Sequence, residues 1–220
     1  MASTPSPAGR RRSRILAALA LLFLTLAAGS ALYAFFFIGA EFRLLEKATP
    51  LRAGAAEPAP GQLVLFTGTI SNKNPLLVHD LVVGCEEKKL ADDSRAWEPA
   101  RPFAGPLVMD HEGTEVVLTL RQPCPRGDHA VIPNPEDSWL RWVGFRRGQR
   151  VTVVGKVEGV APLSVHAEHY FGGSVDDYRR YLTRVRWYVV PFAVVCLLVS
   201  ALLLLEIRKS AARRPSAPAA

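Results

Sequence analysis

The residues best suited to chemistry are five histidines, His79, His111, His129, His166 and His169, and two cysteines outside the apolar stretches, Cys85 and Cys124. Asp110-His111-Glu112 sets an imidazole between two carboxylates, the composition of an acid–base pair or a metal-ligand cluster. The same triplet separates two apolar runs and is followed by Gly113, so turn formation accounts for it without chemistry. His166 and His169 stand three apart in an alternating run. On a regular strand they face opposite sides, and sharing a metal needs a bulge. No CxxC pair, phosphate-cradling glycine loop, metalloprotease motif or nucleophile elbow is present. The reading is therefore no catalytic residue, no metal ligand and no cofactor. Trp97, Trp139 and Trp142 are candidates for a ligand groove, with packing as the plainer account.

What must position these residues is set by two uncharged stretches. One runs 26 residues, from Ile15 to Ala40; the other runs 19, from Trp187 to Leu205. At about 1.5 Å per residue each crosses a hydrocarbon layer of roughly 30 Å, the first with some tilt. The first reads as an uncleaved anchor, because its apolar run continues past Ala27–Ala31, where a cleaved signal would turn polar. That small-residue cluster would let another helix approach closely, and Cys196 reads as a small apolar packing residue.

The net charge of +7 resides outside the central domain. Residues 41–173 hold 15 basic and 17 acidic side chains, a net of −2. The basic surplus belongs to the tails and the membrane flanks, which argues for anionic lipid contact and against nucleic acid. Four arginines precede the first stretch, and the charge rule leans towards both termini in the cytoplasm and the domain outside. There Cys85 and Cys124 are candidates for a disulfide, subject to their separation in space.

The expected organisation is a basic disordered tail (1–14), a transmembrane helix (15–40), a connector (41–60), a β domain (61–173), an amphipathic juxtamembrane helix (174–186), a second transmembrane helix (187–205) and a basic disordered tail (206–220). Within the β domain the pattern predicts a strand with a glycine over 63–70, a hairpin over 106–120, a short helical element over 138–145, a strand with a glycine over 148–157 and a final strand over 162–168. That order predicts a mainly β, α+β fold: an OB-like five-stranded barrel flanked by two transmembrane helices. Residues 72–104 read as an insertion whose apolar run near Leu81 extends one barrel edge, and 91–102 and 123–135 read as loops. The juxtamembrane helix starts at a Ser174/Asp177 cap, buries Val175, Tyr178, Leu182 and Val185, and offers Arg179, Arg180, Arg184 and Arg186 to the membrane surface.

Four segments carry a resemblance: 61–70, beginning Gly61-Gln62-Leu63; 105–113, Gly105-Pro106-Leu107 through His111-Glu112-Gly113; 147–157, Arg147-Gly148-Gln149-Arg150 onward; and 171–178, Phe171-Gly172-Gly173-Ser174. In that order they resemble the GIDE (beside-a-membrane) domain of MULAN-type E3 ubiquitin ligases. The resemblance implies a domain between two spans that faces away from the cytosol. In those ligases the activity resides in a RING after the second span, which requires eight Cys/His zinc ligands. Residues 206–220 contain neither Cys nor His, so ligase activity is not carried over, and a chain of this ringless kind fits a bacterial membrane protein. The expected function is a non-catalytic binding or scaffold module whose partners are membrane lipids and a protein, or a second copy through the transmembrane helices. The alternatives are a member or accessory subunit of an E3 ubiquitin-ligase-type (GIDE) system and an envelope enzyme.

Overall fold

The structure, a computed structural model, describes residues 7–52, 57–91, 96–120 and 124–212. It divides into two compact units, 42–181 and the pair 1–41 with 182–220.

Unit 42–181 is built on β2 (Leu63–Ile70), β5 (Leu107–His111), β6 (Thr114–Leu120), β9 (Arg150–Val160) and β10 (Leu163–Gly172). They follow the order β2-β5-β6-β10-β9, and β9 pairs back onto β2, closing a five-stranded barrel. All neighbours are antiparallel except β6 and β10. This is the OB-type order expected from the strand pattern.

Alternation puts Val64 and Phe66, Leu107 and Met109, Val116 and Leu118, and Val151 and Val153 into one core. Each such side chain, once fully buried, stabilises the fold by about 1.5–3 kcal/mol. Closure of so small a barrel demands close backbone approach. A Cβ on Gly155 would lie 2.3 Å from the His166 carbonyl oxygen, and one on Gly68 would lie 2.6 Å from that of Asp110. The β5–β6 hairpin turns on Glu112 and Gly113, both at positive φ, the geometry that matches strand twist in a two-residue loop.

Outside the barrel, β3 (Leu81–Lys89), β4 (Trp97–Phe103), β7 (Ala130–Pro133) and β8 (Leu140–Arg146) form a second sheet, ordered β4-β3-β8-β7. Three expectations are corrected here. The inserted run does not extend the barrel edge; it pairs with β8. The stretch read as helical over 138–145 is therefore mostly strand, because β3 offers it a complete ladder of partners. The loops expected over 91–102 and 123–135 contain the short edge strands β4 and β7, each carrying proline where an edge tolerates it. Cys85 of β3 is joined by a disulfide to Cys124, with Cα atoms 5.0 Å apart.

The expected connector is likewise more ordered. Its start continues the first helix, as α2 (Gly39–Lys47), and β1 (Thr49–Pro50) pairs in parallel with β2. The ladder continues past that strand, the Leu51 amide donating to the Leu65 carbonyl at 2.9 Å, beside three consecutive buried residues, Val64 to Phe66.

The other unit contains α1 (Pro7–Leu32), a π-helical turn (Tyr33–Ile38), and the part of α3 (Val175–Ala212) from Leu182 onward. Both helices are long and apolar enough to cross a membrane. Helix extends into both expected tails, over 7–14 and 206–212, because adding turns to an existing helix avoids the cost of nucleation. Residues 1–6 and 213–220 lie outside the described residues. Pro191 sits inside α3 without interrupting it.

The two helices carry buried and half-buried stripes spaced three and four apart: Leu16, Ala20, Phe23, Ala27, Ser30, Ala34 and Ile38 on one, and Leu182, Val185, Val189, Ala193, Cys196, Ser200 and Leu203 on the other. The Ser200 hydroxyl donates to the Ala20 carbonyl at 3.0 Å. From that anchor an antiparallel alignment sets every stripe residue within one position of one on the partner, and Ala27 level with Ala193. A parallel alignment would leave Leu182 to Val189 with no counterpart. Of the small cluster near Ala27, only Ala27 and Ser30 lie on the stripe; Ala28, Gly29 and Ala31 are exposed.

Candidate functional site

The histidines do not converge. His111 is not a turn residue but the last residue of β5, with a buried ring. Its Nδ1 lies 2.9 Å from the Thr67 carbonyl oxygen and its Nε2 3.0 Å from that of Leu51. The ring therefore bridges β2 and the segment after β1, beside Phe66. Asp110 accepts from the Gly113 amide, and the exposed Glu112 carboxylate lies 4.0 Å from the imidazole Nε2. The triplet is a hairpin end plus a structural clamp.

A bulge does occur between His166 and His169, at the Ala167/His169 register shift with β9. It lets Ala167 and Tyr170, three apart, both enter the core. His166 faces Glu158 at 3.6 Å, and Glu158 also accepts from Thr119. Among the described residues no group of three or more His, Cys, Asp or Glu side chains is placed to hold a metal. His79 packs on Trp142, and His129 sits 2.8 Å from the Gly127 carbonyl at the rim of a shallow depression of about 360 Å³ shared with Arg146, Arg147 and Gln149. Arg146 pairs with Asp80 and Arg147 donates to the Asn74 carbonyl, so both arginines there are engaged.

Trp97 and Trp139 flank Lys89 at one end of the second sheet. Arg141 stacks 4.1 Å from the Trp97 ring centre while pairing with Glu87, and Lys89 lies over Trp139. These contacts make a cation–aromatic surface on the second sheet. Tyr170 is the anomaly in the core. Its hydroxyl is buried without a protein hydrogen-bond partner among the described residues, and burial pushes its ionisation well above the usual phenol range against the pull of Arg126.

The start of α3 is built as its sequence suggests. The Asp177 amide donates to the Ser174 hydroxyl, and the Ser174 amide donates back to the Asp177 carboxylate. Tyr178 stacks on Phe171 at 4.8 Å. The Ser174 hydroxyl, then its amide, then Arg180 hold the Asp177 carboxyl far below the usual carboxylate range. This network changes the basic face: Arg179 and Arg180 lie against Asp176 and Asp177. Arg184 and Arg186, in the other unit, are exposed.

Sequence reasoning missed the buried Asn74. Its amide donates to the Ser71 and Val108 carbonyls and its oxygen accepts from the Val108 amide. The signal was there, since Asn before Pro in a polar turn favours side-chain-to-backbone bonding. Comparison with protein-family models, curated proteins and solved structures returns no match for this chain.

Proposed function

We propose that this chain is a two-pass integral membrane protein with both termini in the cytoplasm. Its barrel and attached sheet then form a non-catalytic binding or scaffold module outside, of the GIDE type that the sequence resembles. The observation that carries the reading is the Cys85–Cys124 disulfide in the unit between the two apolar helices, since disulfides persist in oxidising compartments. Antiparallel packing of those helices supports termini on one side. The commitment of His111 to two backbone carbonyls, and of Arg146, Arg147 and Arg141 to internal partners, supports binding by surface over catalysis at a cleft. Membrane lipid is one partner, met chiefly by the exposed Arg184 and Arg186 of α3, since a basic side chain near an anionic surface contributes about 1 kcal/mol and Arg179 and Arg180 are paired with Asp176 and Asp177. A protein is the other.

The test uses intact cells carrying the full chain. A membrane-impermeant maleimide is expected to modify the part-exposed Cys124 only after reduction, and external protease to cut the domain while tags on both termini survive. Cut tags around an untouched domain would reverse the orientation. A stoichiometric transition metal in the purified protein, lost on replacing His111 or His166, would overturn the non-catalytic reading.

A further inference from the structure

We propose that Tyr33, Phe35, Phe36 and Phe37 of the π-helical turn, with Trp187 and Tyr188, form one aromatic collar seated in the headgroup-side interface of the bilayer. This rests on the two-span reading and adds where the hydrocarbon ends. The two uncharged stretches differ in length, 26 against 19 residues, and the helix register shows where the surplus lies. With Ser200 opposite Ala20, Trp187 is level with Tyr33, since each stands 13 residues from that contact. Leu205 is likewise level with Ile15.

The slab uncharged in both helices is thus 15–33 with 187–205, about 28 Å at 1.5 Å per residue, which matches a hydrocarbon core of roughly 30 Å. Charges bound the slab at both faces: Arg14, Glu206 and Arg208 at one, Arg186 and Arg184 at the other. All of the surplus, 34–40, falls past the second face, level with those arginines. The extra length is taken up there, not by tilt. The residues at this level suit an interface: Trp187 and Tyr188 are each 73% exposed, and the three phenylalanines more than half exposed. Tyrosine and tryptophan concentrate where one end of the side chain is apolar and the other wet, and phenylalanine anchors at the same depth.

Site-directed nitroxide labelling of the full chain in lipid nanodiscs tests this, in a Cys196→Ala background with the disulfide intact. Labels replace Leu24, Tyr33, Phe36, Trp187 and Leu197, all on exposed faces. Depth is read from relaxation by oxygen against a water-soluble nickel chelate. Leu24→Cys and Leu197→Cys should lie deepest, with Tyr33→Cys and Trp187→Cys at one shallow depth about 13 Å nearer the surface. Phe36→Cys should be shallower still. Deep central labels with Phe36→Cys deeper than Tyr33→Cys, or with Tyr33→Cys and Trp187→Cys at unequal depths, would overturn the collar while leaving the two spans standing. Central labels as open to nickel as the others would overturn the two-span reading itself.

Discussion

His111 and Asn74 show how single polar residues close this barrel. Each is buried, and each satisfies backbone groups from strands distant in sequence. Replacing either with alanine removes a side-chain partner from these backbone groups, at a cost of about 1–3 kcal/mol for each group left unsatisfied. We expect His111→Ala and Asn74→Ala each to lower stability by about 2–4 kcal/mol, read as a fall in thermal midpoint by near-ultraviolet circular dichroism in detergent. An unchanged midpoint for His111→Ala would mean that the ring does not tie Leu51 to the barrel.

Asp177 gives a pH prediction of definite sign. Its folded-state ionisation lies below the usual value, chiefly through the Ser174 hydroxyl. Its contribution is therefore present above the ordinary carboxylate range and is lost as pH falls through the lower folded value. The α3 cap should persist through pH 4, and the Asp177 carboxyl carbon resonance should titrate below that. A midpoint near 4 would show that the Ser174 box does not form.

At the scale of elements, the paired helices rest on small side chains. Ala27 and Ala193 are buried and level, and a larger group at either forces the pair apart. Ala27→Leu should abolish oxidative crosslinking between cysteines placed at Ala20 and Ser200, whereas Ala28→Leu, on an exposed face, should leave it intact. Equal crosslinking in both variants would count against the antiparallel stripe. The second sheet shows why its own elements escaped sequence reading. Residues 140–146 carry apolar side chains at helix-compatible and strand-compatible spacings alike, and only β3 alongside decides between them. Edge strands such as β4, with Pro99 and Pro102, look like loops because an edge needs only half its hydrogen bonds.

For the whole molecule, the disulfide joins the second sheet to the segment that follows β6, across 39 residues of chain. Closing a loop of that size stabilises by about 4 kcal/mol in the chain-entropy picture. Cys85→Ser should therefore lower the thermal midpoint as much as reduction of the parent does, and reduction should then have no further effect on the variant. A further fall on reduction would mean that another bond was being broken.

The linear chain alone determined the two long apolar helices, the five barrel strands and their order, and the Ser174 cap. Each of these follows from local periodicity, length or a four-residue motif, and no distant partner is needed to read them. Only tertiary structure decided the second sheet, the His111 bridge, the Cys85–Cys124 pairing and the helix register. Every one of those depends on which distant backbone lies alongside, and a one-dimensional pattern carries no such distance. The exposed arginines of α3 stand between the two cases: their face was legible from helical spacing, but the pairing of Arg179 and Arg180 with Asp176 and Asp177 depends on side-chain geometry.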